Sequence, residues 1–235
     1  MNAITKNRLV DGGIVSARLK YLLDKVDLDA SKTILDIGSW HLEQSIELSA
    51  VFPNSKIYAF EPVPESYNNC VHKSRYFNNI SVFNVALTNF CGKTSFYPID
   101  TDVSPDKNIG ASSLLKFKDG LNGSFFNQCW IQKEIKVEAS TLDSWAKKNI
   151  IGSIDIAWID VQGAELQLFQ GADEVLSKTK VILTEVGLKP YYEGHGMKSD
   201  IDAYLTSRGF EEVTEAFELN GCEYEGNAIY VNTKI

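Results

Sequence analysis

The stretch from Thr33 to Pro62, TILDIGSWHLEQSIELSAVFPNSKIYAFEP, constrains the chain more than any other, because it reads as a strand, a turn, a helix and a second strand in immediate succession. Ile34, Leu35 and Ile37 form an apolar run too short for a helix, which predicts a strand buried on both faces of a parallel sheet. Gly38 stands where the chain has to turn sharply and where a ligand can approach the backbone. From His41 the spacing becomes helical, with Leu42, Ile46, Ser49 and Ala50 on one face, and Pro53 with Asn54 closes the segment. Ile57, Tyr58, Ala59 and Phe60 predict a second buried strand that delivers Glu61 at its carboxyl end.

Open parallel sheets bind ligands at the carboxyl ends of their strands. Glu61 follows Gly38 at close to the roughly 20 residues at which such units place an acid on the ribose of a nucleotide, and one carboxylate can accept from both ribose hydroxyls. Read singly, Asp36 also fits a turn cap and Gly38 an ordinary loop. Together with Glu61 they predict a nucleotide site.

The alternation of strand and helix continues along the chain. Val15, Leu19, Leu22, Leu23 and Val26 predict an amphipathic helix within residues 1–30 that covers the sheet edge or the cofactor site. Pro64 opens a helix whose inner face is Tyr67, Cys70, Val71 and Ser74. Val82, Phe83, Val85 and Leu87 mark a third strand. Between Cys91 and Val137 the pattern breaks into short aromatic runs separated by glycine and proline, which predicts an inserted loop and strand region, either a substrate cover or an irregular surface loop. A helix opens near Thr141, Leu142 and Asp143. Ile154 to Val161 is a fourth core strand with Asp160 at its carboxyl end. The helix after Gly163 carries Glu165 in its first turn, where the helix dipole favours an acid. Val181 to Thr184 is a fifth strand ending at Glu185. Ser199 and Asp202 suggest a capping box for a helix that Gly209 stops. Phe210 to Thr214 and Ala228 to Val231 predict a closing pair of strands.

With 235 residues the chain suits one α/β domain spanning 1–235. Its formal charge of −8 argues against duplex nucleic acid or an anionic membrane as partner. Cys70, Cys91, Cys129 and Cys222 contain no CxxC pair, so neither a zinc site nor a disulfide framework is expected. No signal peptide or spanning segment is read, which makes the cytoplasm the expected location. No feature sets an oligomeric state.

The strings ILDIGS, AFEPVPESY, NVALTN followed by Gly92, GASSL, STLDSW, IDVQGAE, LFQGA and LTEV, in that order, resemble the FkbM family of S-adenosylmethionine-dependent methyltransferases over roughly Ile34 to Phe210. The resemblance implies a Rossmann-like class I methyltransferase, an α/β fold with a mostly parallel seven-stranded sheet and a C-terminal antiparallel strand. A terminal antiparallel pair fits that fold, whereas dinucleotide dehydrogenases usually end on a parallel strand. It also implies S-adenosylmethionine as cofactor. Asp36, Ile37, Gly38 and Ser39 would lie under its methionine part, Glu61 and the adjoining Pro62 at the ribose, and Asn84 with Ala86 at the adenine. Asp160 would face the cofactor's amino acid or the acceptor. Two departures stand out. The family's first loop commonly reads GANxG where this chain has Gly38-Ser39-Trp40-His41-Leu42, and its IDVEG carries Glu where Gln162 stands.

Methyl transfer to a hydroxyl asks for alignment and for removal of one proton. The candidate bases are Asp160, His195, Glu185 and Glu165. His195 lies in the glycine-flanked segment Tyr191-Tyr192-Glu193-Gly194-His195-Gly196, and a histidine's near-neutral pKa suits the task, although an exposed loop histidine is also often idle. Trp40 and His41 could border the cofactor, and His72 reads as helix surface. The expected partner is a small-molecule or carbohydrate acceptor, the sugar coming from the family alone. A nucleotide-dependent oxidoreductase using NAD(P) shares the opening motif. It is disfavoured by the single glycine and by the lack of a suitable Tyr-xxx-Lys pair, since Tyr21 and Lys25 precede the sheet. A non-catalytic nucleotide-binding protein on the same fold is the third reading.

Overall fold

A computed structural model describes residues 21–22, 30, 32–104, 109–118, 130–220 and 223–235. In chain order the described elements are β1 (Thr33–Ile37), α1 (Glu43–Val51), β2 (Lys56–Phe60), α2 (Pro64–Ser74), β3 (Ile80–Phe83), β4 (Ala86–Leu87) and β5 (Gly92–Phe96). There follow β6 (Ile135–Ser140), α3 (Leu142–Lys148), β7 (Ile154–Ile159), α4 (Glu165–Gln170), α5 (Asp173–Leu176), β8 (Thr179–Gly187), α6 (Lys198–Ser207), β9 (Phe210–Glu212), β10 (Glu218–Leu219) and β11 (Glu225–Asn232).

The main sheet runs β10-β11-β8-β7-β1-β2-β3, and the short β9 pairs with β11 as an eighth strand. The strands from β8 to β3 are parallel, whereas β11 is antiparallel to β8. The first half of the chain winds outward from β1 to β3 and the second returns to β7 on the other side of β1. Strand order therefore reverses between β1 and β7, the place where such sheets leave a crevice at their carboxyl edge. The sheet is buried on both faces because its strands are apolar at successive positions. Leu35 and Ile37 join Phe60, Trp145, Leu168 and Phe169 on one side. Ile34 joins Leu48, Phe52, Ile57 and Leu183 on the other.

Local chemistry sets the element ends. Pro64 occupies the first turn of α2, where a missing N–H costs nothing. The Thr141 hydroxyl accepts from the Ser144 N–H at the start of α3. Both oxygens of Asp143 accept from the Glu174 and Val175 N–H groups, which caps α5 from outside. The buried face of α1 is Ser45, Leu48 and Ser49, with Ala50 exposed, so the helix is rotated relative to the expected stripe. On α2 the fully inward residues are Ser66 and Cys70.

Two expectations are corrected. The third strand ends at Phe83, and Ala86 and Leu87 belong to a second sheet, β4-β6-β5. The bend between them is pinned by the Asn84 amide, which donates to the Glu61 and Pro62 carbonyls at 2.8 and 2.9 Å. The cap of α6 is Met197 with Asp200, whose carboxylate accepts from the Met197 N–H at 3.1 Å, while Asp202 is occupied by Lys198 and the Tyr230 hydroxyl. The inserted loop and strand region expected from Cys91 to Val137 holds β5 and the start of β6, which pair antiparallel. Of the helix expected over Val15 to Val26, only Tyr21 and Leu22 are described, and the rest lies outside the described residues. Leu22 is fully buried in the core that holds Leu48 and Phe52. No helix among the described residues is long and apolar enough to cross a membrane.

The far end of the sheet is tied by Asn232, 4% exposed, whose amide donates to the Thr179 and Leu176 carbonyls at 3.0 and 3.4 Å. Asn232→Leu leaves those carbonyls without that donor. It is expected to lower the urea-unfolding free energy by about 1–3 kcal/mol while leaving ligand binding at the opposite, carboxyl edge unchanged.

Candidate active site

Where β1, β2 and β7 end, their backbones are fastened to one another. The Gly38 and Ser39 N–H groups both donate to the Phe60 carbonyl, at 3.1 and 3.0 Å, and the Asp160 N–H donates to the Ile37 carbonyl at 2.9 Å. Gly38 has a φ of 92°, and a Cβ there would lie 1.8 Å from the Asp160 carbonyl oxygen. Glycine is required both for the dihedral and for the space. Beyond it, Trp40 and Leu42 also take left-handed backbone, with φ of 44° and 67°, which folds the loop tightly over the strand ends.

Glu61 locks that loop. Its two carboxylate oxygens accept from the Trp40 N–H at 3.0 Å and the Val63 N–H at 2.8 Å. Burial pushes its pKa up to about 7 against those two stabilising hydrogen bonds. Asp36, 1% exposed, accepts from the Ser45 hydroxyl, and burial raises it to about 6. Ser39 turns its hydroxyl onto the Asp36 carbonyl at 2.9 Å.

A cleft opens at this edge, bounded by Ile37, Gly38, Glu61, Pro62, Ala86 and Asp160 among others. Its far wall is apolar, formed by Val63, Val85, Leu87 and Phe96, and suits a flat ring. A flanking pocket reaches Asp36, Ser39, His41 and Gln44 and shares Gly38, Trp40 and Asp160 with the cleft. Of the residues expected at a cofactor, Asn84 alone does not line these spaces. It is exposed and acts on the site through its hydrogen bonds to the Glu61 and Pro62 carbonyls.

A third space adjoins the cleft through Trp40, Gly110, Asp160 and Gln162 and extends to Glu185, Tyr191, Asn220 and Glu225. Asp160 borders all three spaces. The Gln162 amide donates to Asp160 Oδ1 at 2.8 Å and to Glu185 Oε2 at 2.7 Å. The Asn220 amide donates to Glu185 Oε1 at 2.9 Å and Glu225 Oε1 at 2.8 Å, and the Tyr191 hydroxyl donates to Glu225.

The structure places the other two candidate bases behind this chamber. His195 borders none of the three spaces and is 9% exposed, packed on Tyr191 and Tyr192 with ring centroids at 4.8 and 5.7 Å. Burial lowers its pKa to about 4. Glu165, 1% exposed, lies under the 160–163 loop and accepts from the Val161 and Gly163 N–H groups at 3.1 and 3.3 Å. Burial raises it to about 8. Gly110 and Tyr191 lie in the inserted region and the His195 segment that the sequence singles out, whereas Asn220 and Glu225 were not foreseen. Glu225 is positioned by the pairing of β11 with Gly187 at the end of β8, a register that the predicted closing strands contain only in outline.

The donor set decides what the cleft can hold. A pyrophosphate needs free backbone N–H groups or cations, yet the loop N–H groups of Gly38, Ser39 and Trp40 are spent on Phe60 and Glu61. No lysine or arginine is among the described residues lining the cleft or its flank, whereas Asp36, Glu43, Glu61 and Asp160 are. These residues fit a nucleoside carrying positive charge.

Comparison with known proteins agrees. The methyltransferase FkbM domain pattern matches residues 34–212. The chain is 28% identical over 226 residues to a 2-O-methyltransferase, NoeI, of Sinorhizobium fredii, covering 94% of this chain and 86% of that one. Its fold is similar to that of the magnesium protoporphyrin IX methyltransferase of Synechocystis with bound S-adenosylmethionine, with a TM-score of 0.53 at 11% identity over 98% of this chain and 81% of the other. It is also similar to Aeropyrum pernix fibrillarin with natively bound S-adenosyl-L-methionine, with a TM-score of 0.52 at 14% identity over 92% and 72%.

Three buried carboxyls titrate late in the folded chain, Asp36 at about 6, Glu61 at about 7 and Glu165 at about 8, against ordinary values of 3.8, 4.5 and 4.5. Their folded pKa values lie above the unfolded ones, so the folded state binds more protons between the two. Stability is therefore greatest on the acid side of that window and falls as the pH rises through 6 to 8. Chemical denaturation of the ligand-free protein at pH 5 and pH 8 is expected to show this loss. Glu165→Gln, which mimics the protonated acid, is expected to reduce it.

Proposed function

The chain belongs to the FkbM methyltransferase family, and on that footing we propose that it is an S-adenosylmethionine-dependent O-methyltransferase whose acceptor is a hydroxyl of a small-molecule or sugar-containing compound. The observation that carries this reading is the meeting of the cofactor cleft and a separate polar chamber at one carboxylate, Asp160. The formal charge of −8 supports a small acceptor over nucleic acid.

When bound, S-adenosylmethionine would supply an activated sulfonium methyl for the acceptor oxygen, with the C–S bonding pair remaining on sulfur. The chain's own residues do the rest. Glu61 would accept from the ribose hydroxyls with the lone pairs left over from Trp40 and Val63. Val63, Val85, Ala86 and Leu87 cover the base. Asp36, in the flanking pocket with Ser39, would give the ammonium group of the cofactor's amino-acid end a counter-charge. Asp160 sits between cleft and chamber and takes the proton leaving the acceptor hydroxyl, while Glu185 and Glu225 accept from the acceptor's other donors. His195 supports the loop from behind and has no part in the proton transfer.

Parallel calorimetric titrations with S-adenosylmethionine, S-adenosylhomocysteine and NADH test the cofactor. Binding of the first two alone is expected, and binding of NADH alone would overturn the reading. Because the ionised Glu61 accepts from both ribose hydroxyls, S-adenosylmethionine affinity is expected to strengthen as the pH rises through about 7. In Glu61→Gln the affinity at pH 8 is expected to drop by one to two orders of magnitude, as loss of hydrogen bonds worth about 1.5–3 kcal/mol implies, and to vary less with pH.

Asp160→Asn keeps the shape of the junction and removes the proton acceptor. Methyl transfer from labelled S-adenosylmethionine to a panel of methyl pyranosides is expected to slow by about a hundredfold or more. Cofactor affinity measured by calorimetry should change far less than the rate.

A further inference from the structure

We propose that Gln162 is a positioning residue for proton removal, its amide holding the Asp160 and Glu185 carboxylates together as one unit at the mouth of the acceptor chamber. The proposal rests on the O-methyltransferase reading and assigns a role to a residue which that reading leaves unused. Gln162 has a φ of 53°, a left-handed conformation that a side chain with a Cβ adopts only at some cost. That conformation is held by contacts on every polar group the residue directs inward. Its backbone carbonyl accepts from the Ser113 hydroxyl at 2.7 Å and its side-chain oxygen from the Tyr192 hydroxyl at 3.2 Å. Its NH2 group divides its hydrogens between Asp160 Oδ1 at 2.8 Å and Glu185 Oε2 at 2.7 Å.

The chemistry of position 162 follows from that division. Two carboxylates within reach of one nitrogen repel each other, and the pair relieves the repulsion by keeping a proton. An NH2 group satisfies both anions at once, with one hydrogen for each. A carboxyl group in the same place offers one hydrogen when protonated and none when ionised. Gln162 thereby keeps Asp160 able to receive a proton from the acceptor and fixes the direction of its second oxygen. The other titratable groups around the unit push the opposite way or are neutral. Glu165 lies beneath on α4, Glu225 across the chamber on β11, Asp36 on β1, and the Tyr191 and Tyr192 hydroxyls on the segment after β8, both phenols held well above their ordinary pKa by burial.

The test compares Gln162→Met, which removes the donor, with Gln162→Glu, which replaces it by a like charge. The wild type and both variants are labelled with carboxyl 13C in Asp and Glu and titrated by NMR. The Asp160 and Glu185 signals are assigned by their loss in Asp160→Asn and Glu185→Gln. Calorimetry with S-adenosylmethionine and a thermal melt run alongside. The expected result is that both carboxyls titrate at higher pH in the order wild type, Met, Glu, by about one unit or more, with cofactor affinity within threefold of wild type. With methyl pyranosides as probe, the acid limb of kcat is expected to move up by the same amount with KM little changed. Carboxyl titrations in Gln162→Met that superimpose on wild type would overturn the proposal. If Gln162→Glu does not fold, Gln162→Met alone decides. A wild-type protein that binds no S-adenosylmethionine instead overturns the methyltransferase reading, an outcome the NMR titration does not depend on.

Discussion

The carbonyl of Asp160 and the backbone of Gly38 meet at a distance that excludes even a methyl group, with 1.8 Å between that oxygen and any Cβ on Gly38. The rest of the site depends on this contact. It brings the ends of β1 and β7 together at the point where strand order reverses, and the shared Phe60 carbonyl draws in β2 as well. The hydrogen bonds that fasten the three ends consume the N–H groups that a glycine-rich loop normally offers to phosphate. One packing decision therefore builds the cleft and also fixes its chemistry: shape and apolar surface for a nucleoside, with carboxylates rather than donors where a dinucleotide would need its pyrophosphate held.

Those carboxylates come at an energetic cost to the folded state. Asp36, Glu61 and Glu165 are nearly inaccessible to water, and the hydrogen bonds they accept do not offset burial, since all three are displaced toward the protonated form. A cation entering the cleft or its flank supplies a counter-charge to Glu61 and Asp36, so ligand and fold share the burden of keeping those two ionised, whereas Glu165 borders neither space. The ligand-free protein meets it instead by retaining protons, which is why its stability and its affinity for a cationic nucleoside should respond to pH in opposite directions between about 6 and 8.

Much of the cofactor half was legible in the sequence because its information is local. Short apolar runs that each end in an acid mark the carboxyl ends of parallel strands, and Asp36, Gly38, Glu61 and Asp160 all line the spaces at that edge. The acceptor half was less legible, because it is assembled from distant segments. Gly110 comes from the insertion, Asn220 and Glu225 from the C-terminal arm, and the register of β11 on β8 is not written in either strand's periodicity. His195 shows how local reading fails. Its flanking glycines suggest an exposed loop, but the ring packs where Gly163 and Gly187 have no side chains, and a Cβ on Gly187 would lie 2.2 Å from its Nε2. Asn84 failed differently: its position beside the adenine region was anticipated, yet its amide turns back to hold the Glu61 carbonyl.

The two halves differ in how freely they can change. The residues proposed to hold the cofactor lie mostly at the ends of strands that are hydrogen-bonded to both neighbours, so altering one disturbs the sheet itself. The chamber walls are side chains from the insertion, the loop after β8 and the β10–β11 arm, joined to one another by amide-to-carboxylate bonds through Gln162 and Asn220. Replacing such a side chain changes which donors an acceptor must bring without moving Gly38 or Glu61. Asp160 belongs to both halves, its backbone bound into the β1–β7 junction and its carboxylate into the chamber network. A proton acceptor placed there keeps its distance to the cofactor cleft whatever the chamber selects, which lets acceptor specificity vary while the geometry of transfer stays fixed.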